Sequence, residues 1–169
     1  MAVLETLTSL SNLAYDPAWP SAFAMPIAGA TMSSRVSHLP NARRAYRNGF
    51  HEGFDFYNGV VSVPIAYGLP TVAVAPGRVV RIDHDYQELS PERLQSLLDE
   101  AAQLADTPED TLDLLRGRQV WREHAGGYIS RYAHLADVTE NLQVGSVVNT
   151  GDNVGYVGNS GTDDAAAGA

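Results

Sequence analysis

Two amino acids are absent from the 169-residue sequence, cysteine and lysine. Without cysteine there is no disulfide, no thiolate zinc site and no thiol nucleophile, so a metal held by this chain is held by His, Asp or Glu. Without lysine, all 11 basic residues are arginine, and no side-chain amine is present to accept a tethered prosthetic group. Positive charge is also outnumbered. The 20 Asp and Glu leave a formal net charge of -9, which argues against a nucleic-acid backbone or an anionic membrane as partner. No apolar run reaches the roughly 18 residues of a membrane span. Residues 1–20 lack the basic start of a secretion signal, so the expectation is a protein that does not use that export route or a sequence that begins after its signal.

What is present is an ordinary globular composition, 44% hydrophobic and 18% charged, which suits one domain with a real core. Residues 1–24 form a proline-punctuated lead-in, with a short helix expected over 3–13. Residues 25–48 are rich in Pro, Gly, Ser and Arg and read as loop and irregular edge strand, with Arg43, Arg44 and Arg47 expected to form a solvated surface. Short β-type runs follow at 60–66, 71–75 and 78–84. Pro76-Gly77 reads as a hairpin turn between the last two, with Val80 and Ile82 on the buried side.

Residues 87–118 change character. Ser90 before Pro91 and Glu92 is a helix-start signature, and Leu94, Leu97, Leu98, Ala101 and Ala105 follow at helical spacing. Thr107 to Asp110 repeats the start signal as a capping box, and Gly117 closes the second helix. The expectation is a helical hairpin inserted between strands as a packed lid over a sheet end. Strands resume at 119–124 and, past Gly126-Gly127, at 128–135, where Tyr128, Ser130, Tyr132 and His134 share a face. Over 144–161, glycines spaced between valines predict tight turns joining very short strands. The tail 163–169 carries no structural signal.

The chain is organised around 49–57, Gly-Phe-His-Glu-Gly-Phe-Asp-Phe-Tyr. In extended geometry His51, Gly53, Asp55 and Tyr57 share one face. A flat strand would hold His51 and Asp55 about 13 Å apart, too far for one ion bound at about 2.0–2.2 Å. A bend between them is required, and Gly53 at the midpoint is expected to supply it through positive φ or a bulge. An imidazole and a carboxylate brought together in this way make a nitrogen-plus-oxygen metal site.

With these pieces in place, the chain resembles the M23 family of zinc peptidases, the LytM and lysostaphin type of peptidoglycan hydrolase. His51-Glu-Gly-Phe-Asp55 resembles the family's His-x-x-x-Asp motif, Tyr132-Ala-His134-Leu135 its Tyr-x-His-Leu segment, and 144–162 its glycine-rich run. The resemblance implies a mainly β fold, a twisted antiparallel β-sheet groove related to barrel-sandwich folds, spanning 25–169 with the helical insert at 87–118. It implies one zinc ion held by His51 and Asp55, with His134 as a catalytic histidine beside the bound water. It also implies peptidoglycan peptides as substrate, cell-wall cross-bridges or stems, and a location in the cell envelope or outside the cell.

One departure is plain. The family's third ligand and second catalytic histidine come from a His-x-His pair after the glycine-rich run, and no histidine follows His134. The expectation is a chain incomplete before that motif, binding zinc weakly and hydrolysing little as it stands. His38, His84, His124, Asp163 and Asp164 are the other donors in principle, with His84 and His124 expected to be solvated or locally hydrogen-bonded. Two rival readings are a non-catalytic LytM-like module that binds cell wall or regulates an amidase, and a plain β-sandwich with a structural metal or none. A biotinyl or lipoyl carrier, which shares the Gly-Asp turn, is excluded for want of an acceptor lysine.

Overall fold

The computed structural model describes residues 23–168. The helix expected over 3–13 lies outside them. The expected mainly β, antiparallel architecture is what these residues adopt, with no closed barrel among them. Among the described residues the strands form three antiparallel sheets. A two-stranded ribbon pairs β1 (Arg43–Arg44) with β2 (Gly49–Phe50). A second sheet has the order β3 (Pro70–Val72), β9 (Asn153–Val157), β7 (Leu135–Val138). The third runs β6 (Ile129–Tyr132), β5 (Val120–Glu123), β4 (Gly77–Ile82), β8 (Val147–Val148).

The two larger sheets close over one core. Val79, Val120, Tyr132 and Val148 from one side meet Leu135, Val138 and Val154 from the other, with Ala73 and Leu142 between them. Inside that seam lies Arg122, fully buried, donating to the carbonyls of Ala75 (2.6 Å) and Val148 (3.3 Å). A buried cation without water is tolerated only where such acceptors surround it. Tyr132 contributes to the same seam, its hydroxyl accepting from the Val74 N–H at 2.9 Å.

The helical hairpin stands where it is expected. Helix α1 (Pro91–Leu104) is capped by the Ser90 hydroxyl, which accepts from Arg93 N at 3.2 Å. Helix α2 (Glu109–Leu115) follows after a tight turn, and Leu94, Leu97 and Leu115 form their own small core. The expected capping box at Thr107 does not form. Pro108 is the N-cap, Asp110 takes the Thr111 N–H instead, and the Thr107 hydroxyl is spent on a tertiary bond to the carbonyl of Arg47.

Four further expectations are corrected. Pro76-Gly77 does not join a hairpin, because β3 pairs with β9 while β4 pairs with β5 and β8; the turn carries the chain from one sheet to the other. Val80 is exposed and Val79 is buried, because a bulge between Val79 and Arg81 reverses the inward set. Residues 60–66 form no strand. Val61 is buried there, but Ser62 at φ 66° and the following Pro64 break extended pairing. The tail contains a short helix, α3 (Asp163–Ala166), whose N-cap Thr162 accepts from Ala165 N.

Candidate functional site

The ribbon is the platform for the motif. Beyond β2 the ladder continues, with His51 N–H donating to Ala42 O (2.7 Å), Asn41 N–H to His51 O (2.8 Å) and Asp55 N–H to His38 O (2.9 Å). Segment 51–55 is thus pinned at both ends against 38–42. It bends at Gly53, and the bend brings His51 Nε2 to 3.0 Å from Asp55 Oδ1. The expected convergence is therefore present. Its expected cause is not, since Gly53 is outside the left-handed region and a Cβ added there meets nothing within 4 Å.

Both side chains are largely sheltered, 15% and 20% exposed. The His51 Nδ1 faces the Leu39 carbonyl at 3.1 Å. Burial, with help from the Arg44 and Arg47 charges, pushes the His51 pKa below its usual value even though Asp55 pulls it up, which favours the neutral ring. A neutral ring carries one N–H, and here both nitrogens face acceptors. If Nδ1–H donates to Leu39, the Nε2 lone pair confronts the Asp55 carboxylate, an arrangement that a shared cation resolves. The two side chains thus form a nitrogen-plus-oxygen donor pair. Among the described residues, however, no group of three His, Cys, Asp or Glu is placed to hold one.

The arginines expected on a solvated surface are divided. Arg43 is exposed. Arg44 donates from Nη1 to Ser37 O (2.7 Å) and from Nη2 to Asp55 Oδ2 (2.8 Å). Arg47 is 5% exposed and bonds Phe50 O and Thr107 Oγ1. The insert grips the next residue too: Arg116, itself buried, holds both Glu52 oxygens at 2.8 Å and Glu109 at 2.6 Å. Composition and spacing gave no sign of these three partnerships. The one available signal was the placing of Arg44 and Arg47 within seven residues of His51; Arg116 gave none.

His134 stands at the corner between β6 and β7 with φ 57°. Its N–H donates to Arg116 O (2.8 Å), and its Nδ1 donates to Ser160 O (2.8 Å), leaving Nε2 as an acceptor. Ser160 is the hub of this corner: its hydroxyl accepts from Arg118 N–H and donates to Leu135 O, both at 2.9 Å. The glycine-rich run thus fixes the imidazole, while Arg116 connects its backbone to Glu52, the neighbour of His51. His134 does not join His51 and Asp55 in a three-residue donor group.

The other donors have partners within the fold, but those of His84 and of His124 Nδ1 are not local, lying 58 and 48 positions away. His38 Nδ1 meets Ser33 Oγ (2.9 Å), and His84 Nε2 donates to Leu142 O (2.7 Å). Buried His124 donates from Nδ1 to Pro76 O (2.7 Å) and accepts at Nε2 from Ser130 (2.8 Å). Asp163 and Asp164 occupy the first turn of α3.

Residues 107–167 match the model of peptidase family M23. That stretch includes His134 and Ser160 and stops short of His51 and Asp55. Among solved structures the chain is similar to one described as a zinc-containing peptidase from Vibrio cholerae, at 18% identity and a TM-score of 0.46, covering 83% of this chain. The chain spans 33% of that protein's length. None of the curated proteins matches it.

Proposed function

We propose that this chain, whose residues 107–167 match the model of peptidase family M23, is the catalytic part of a zinc endopeptidase acting on peptide bonds of peptidoglycan, in cross-bridges or stem peptides. The observation that carries the reading is the convergence of His51 Nε2 and Asp55 Oδ1 to 3.0 Å, on an imidazole whose two nitrogens both face acceptors. His51 and Asp55 are the residues that would hold the ion. Zinc, when bound, supplies Lewis acidity toward the scissile carbonyl and lowers the pKa of the attacking water to about 7.

The protein supplies the rest. Arg44 and Leu39 orient the two donors from behind. His134, held by Ser160 O through Nδ1, presents Nε2 to take a proton from the nucleophile and return it to the leaving amine. Such a substrate places the protein in the cell envelope or outside the cell. No described helix is long and apolar enough to cross a membrane.

The test is release of free amino groups from purified cell wall in the presence of zinc, with His51→Ala, Asp55→Ala and His134→Ala beside the parent. His51→Ala and Asp55→Ala are expected to abolish both release and zinc retention. His134→Ala is expected to lose roughly 10²–10⁴-fold in turnover with zinc retained. Equal release by the parent and His51→Ala defeats the proposal. The two-donor set favours a second reading, a module that binds cell wall without cutting it. That reading predicts co-sedimentation with cell wall and no released amines.

A further inference from the structure

The Nδ1 of His134 donates to the Ser160 carbonyl at 2.8 Å, and that carbonyl belongs to the same peptide unit as the Gly161 N–H. On the far side of the unit, the Gly161 N–H donates to both Glu88 carboxylate oxygens, at 3.0 and 3.2 Å. A trans peptide points its C=O and N–H in opposite directions, so a carboxylate and an imidazole are joined head to tail through one peptide plane. The plane is also held on its flanks. The Ser160 hydroxyl accepts from Arg118 N–H and donates to Leu135 O, and a Cβ added to Gly161 would lie 2.6 Å from Gly117 N.

Glu88 stands on the strap that enters α1, 73 positions before Gly161. Its Oε1 also accepts from the Tyr86 hydroxyl at 2.8 Å and from the Leu89 N–H at 3.0 Å, so the carboxylate is fixed in place. Burial, and after it Glu88, push the Tyr86 pKa up, which keeps that hydroxyl a donor. Glu88 is exposed, and water screens its field over any path through solvent. The path through the peptide is not screened. A hydrogen bond to an ionised acceptor is stronger than a neutral one, and bonds in series polarise each other, by roughly 10–30% per bond.

We propose that Glu88 is the positioning residue for His134: through the 160–161 peptide its charge makes the Ser160 carbonyl a stronger acceptor, which locks the imidazole as the Nδ1–H tautomer and keeps the Nε2 lone pair available to a proton. The inference rests, for its consequence in catalysis, on the reading of His134 as the proton-transfer group; the bond and the tautomer need neither metal nor substrate. Which ring nitrogen carries the proton is set by the bond the other nitrogen can make. A purely mechanical role, bracing the loop, makes a different prediction. Glutamine keeps an acceptor oxygen at nearly the same reach and loses the charge, so a brace survives Glu88→Gln and the relay does not.

The experiment is NMR of the zinc-free protein at about pH 8.5, where an ordinary imidazole is neutral, on the parent, Glu88→Gln and Tyr86→Phe. The two His134 ring nitrogens are read through the carbon-bound ring protons, and the hydrogen bond through the coupling between Nδ1 and the Ser160 carbonyl carbon. The backbone amide spectrum checks that the fold is kept. The expected parent is the Nδ1–H tautomer with the coupling present. In Glu88→Gln the coupling falls by roughly 10–30% and the Nε2–H tautomer gains population; in Tyr86→Phe, where the carboxylate loses a competing donor, the coupling rises. A coupling and tautomer ratio in Glu88→Gln equal to the parent's overturns the proposal, leaving the role of His134 in proton transfer untouched. If Glu88→Gln does not fold, Tyr86→Phe decides, and a coupling that is unchanged or smaller overturns the proposal. A parent in the Nε2–H form overturns the proposal and the role given to His134 together.

Discussion

At the scale of single residues, His51 makes stability depend on pH in a direction that follows from its surroundings. Its pKa is lowered in the folded state, chiefly by burial. Between that lowered value and the ordinary 6.5 the unfolded chain binds more protons, so stability rises with pH through this window. The contribution is complete above pH 6.5 and is lost as pH falls below it. Urea unfolding from about pH 7.5 down to about pH 5.5 is expected to show a shallower decline in His51→Gln than in the parent. Gly53 gives a second prediction. Because its φ is not left-handed and an added Cβ meets open space, Gly53→Ala should leave the unfolding midpoint and zinc binding within error of the parent. The motif showed which side chains converge but misplaced the reason. Pinning by Ala42, Asn41 and His38 is a tertiary effect, and nothing local in 51–55 announces it.

At the scale of elements, short-range chemistry was legible and long-range pairing was not. Ser90, the leucine spacing and Gly117 predicted both helices because each signal acts within a few residues. Thr107 failed as a cap because its hydroxyl had a competing partner 60 positions away. Strand runs were visible at β4, β5 and β6, yet the partner of β3 is β9, some eighty residues on, and the bulge in β4 that turns Val79 inward leaves no trace in the alternation. Gly117 is where an element boundary meets the site. It sits at φ 64°, and a Cβ there would approach Ser160 O to 2.2 Å. Gly117→Ala is expected to destabilise by more than the roughly 1–2 kcal/mol of left-handed strain alone, measured by thermal unfolding, and to disturb the His134 ring resonances with it.

At the scale of the whole molecule, the insert is fastened to the motif rather than laid over it. Arg116 on Glu52, Thr107 on Arg47 and the Asn48 amide on Ala101 O at 3.3 Å join 47–52 to the hairpin. The Arg116 guanidinium is buried while its carboxylates are 42% and 70% exposed. Loss of the pair therefore falls below the roughly 3–5 kcal/mol of a fully buried one, and Arg116→Ala should cost about 1–3 kcal/mol by denaturant unfolding. Leu97→Ala, deep in the hairpin's own core at 1% exposure, should cost about 2–5 kcal/mol. The helical composition of 87–118 revealed the insert but not its attachment, which depends on arginines whose partners come from distant parts of the chain.

The crossing at His134 has a dynamic corollary. Strands β6 and β7 are consecutive in sequence but belong to different sheets, and the amides of His134, between them, and of Leu135, the first residue of β7, are bonded to the carbonyls of Arg116 and Arg118. In deuterated water these two amides should exchange at the rate of the helix-hairpin exit, together with Arg118, rather than at the slower rate of the strands on either side. The imidazole at this corner would then inherit the breathing of the hairpin, so that a ligand quieting α2 would be felt as slower exchange at residue 134.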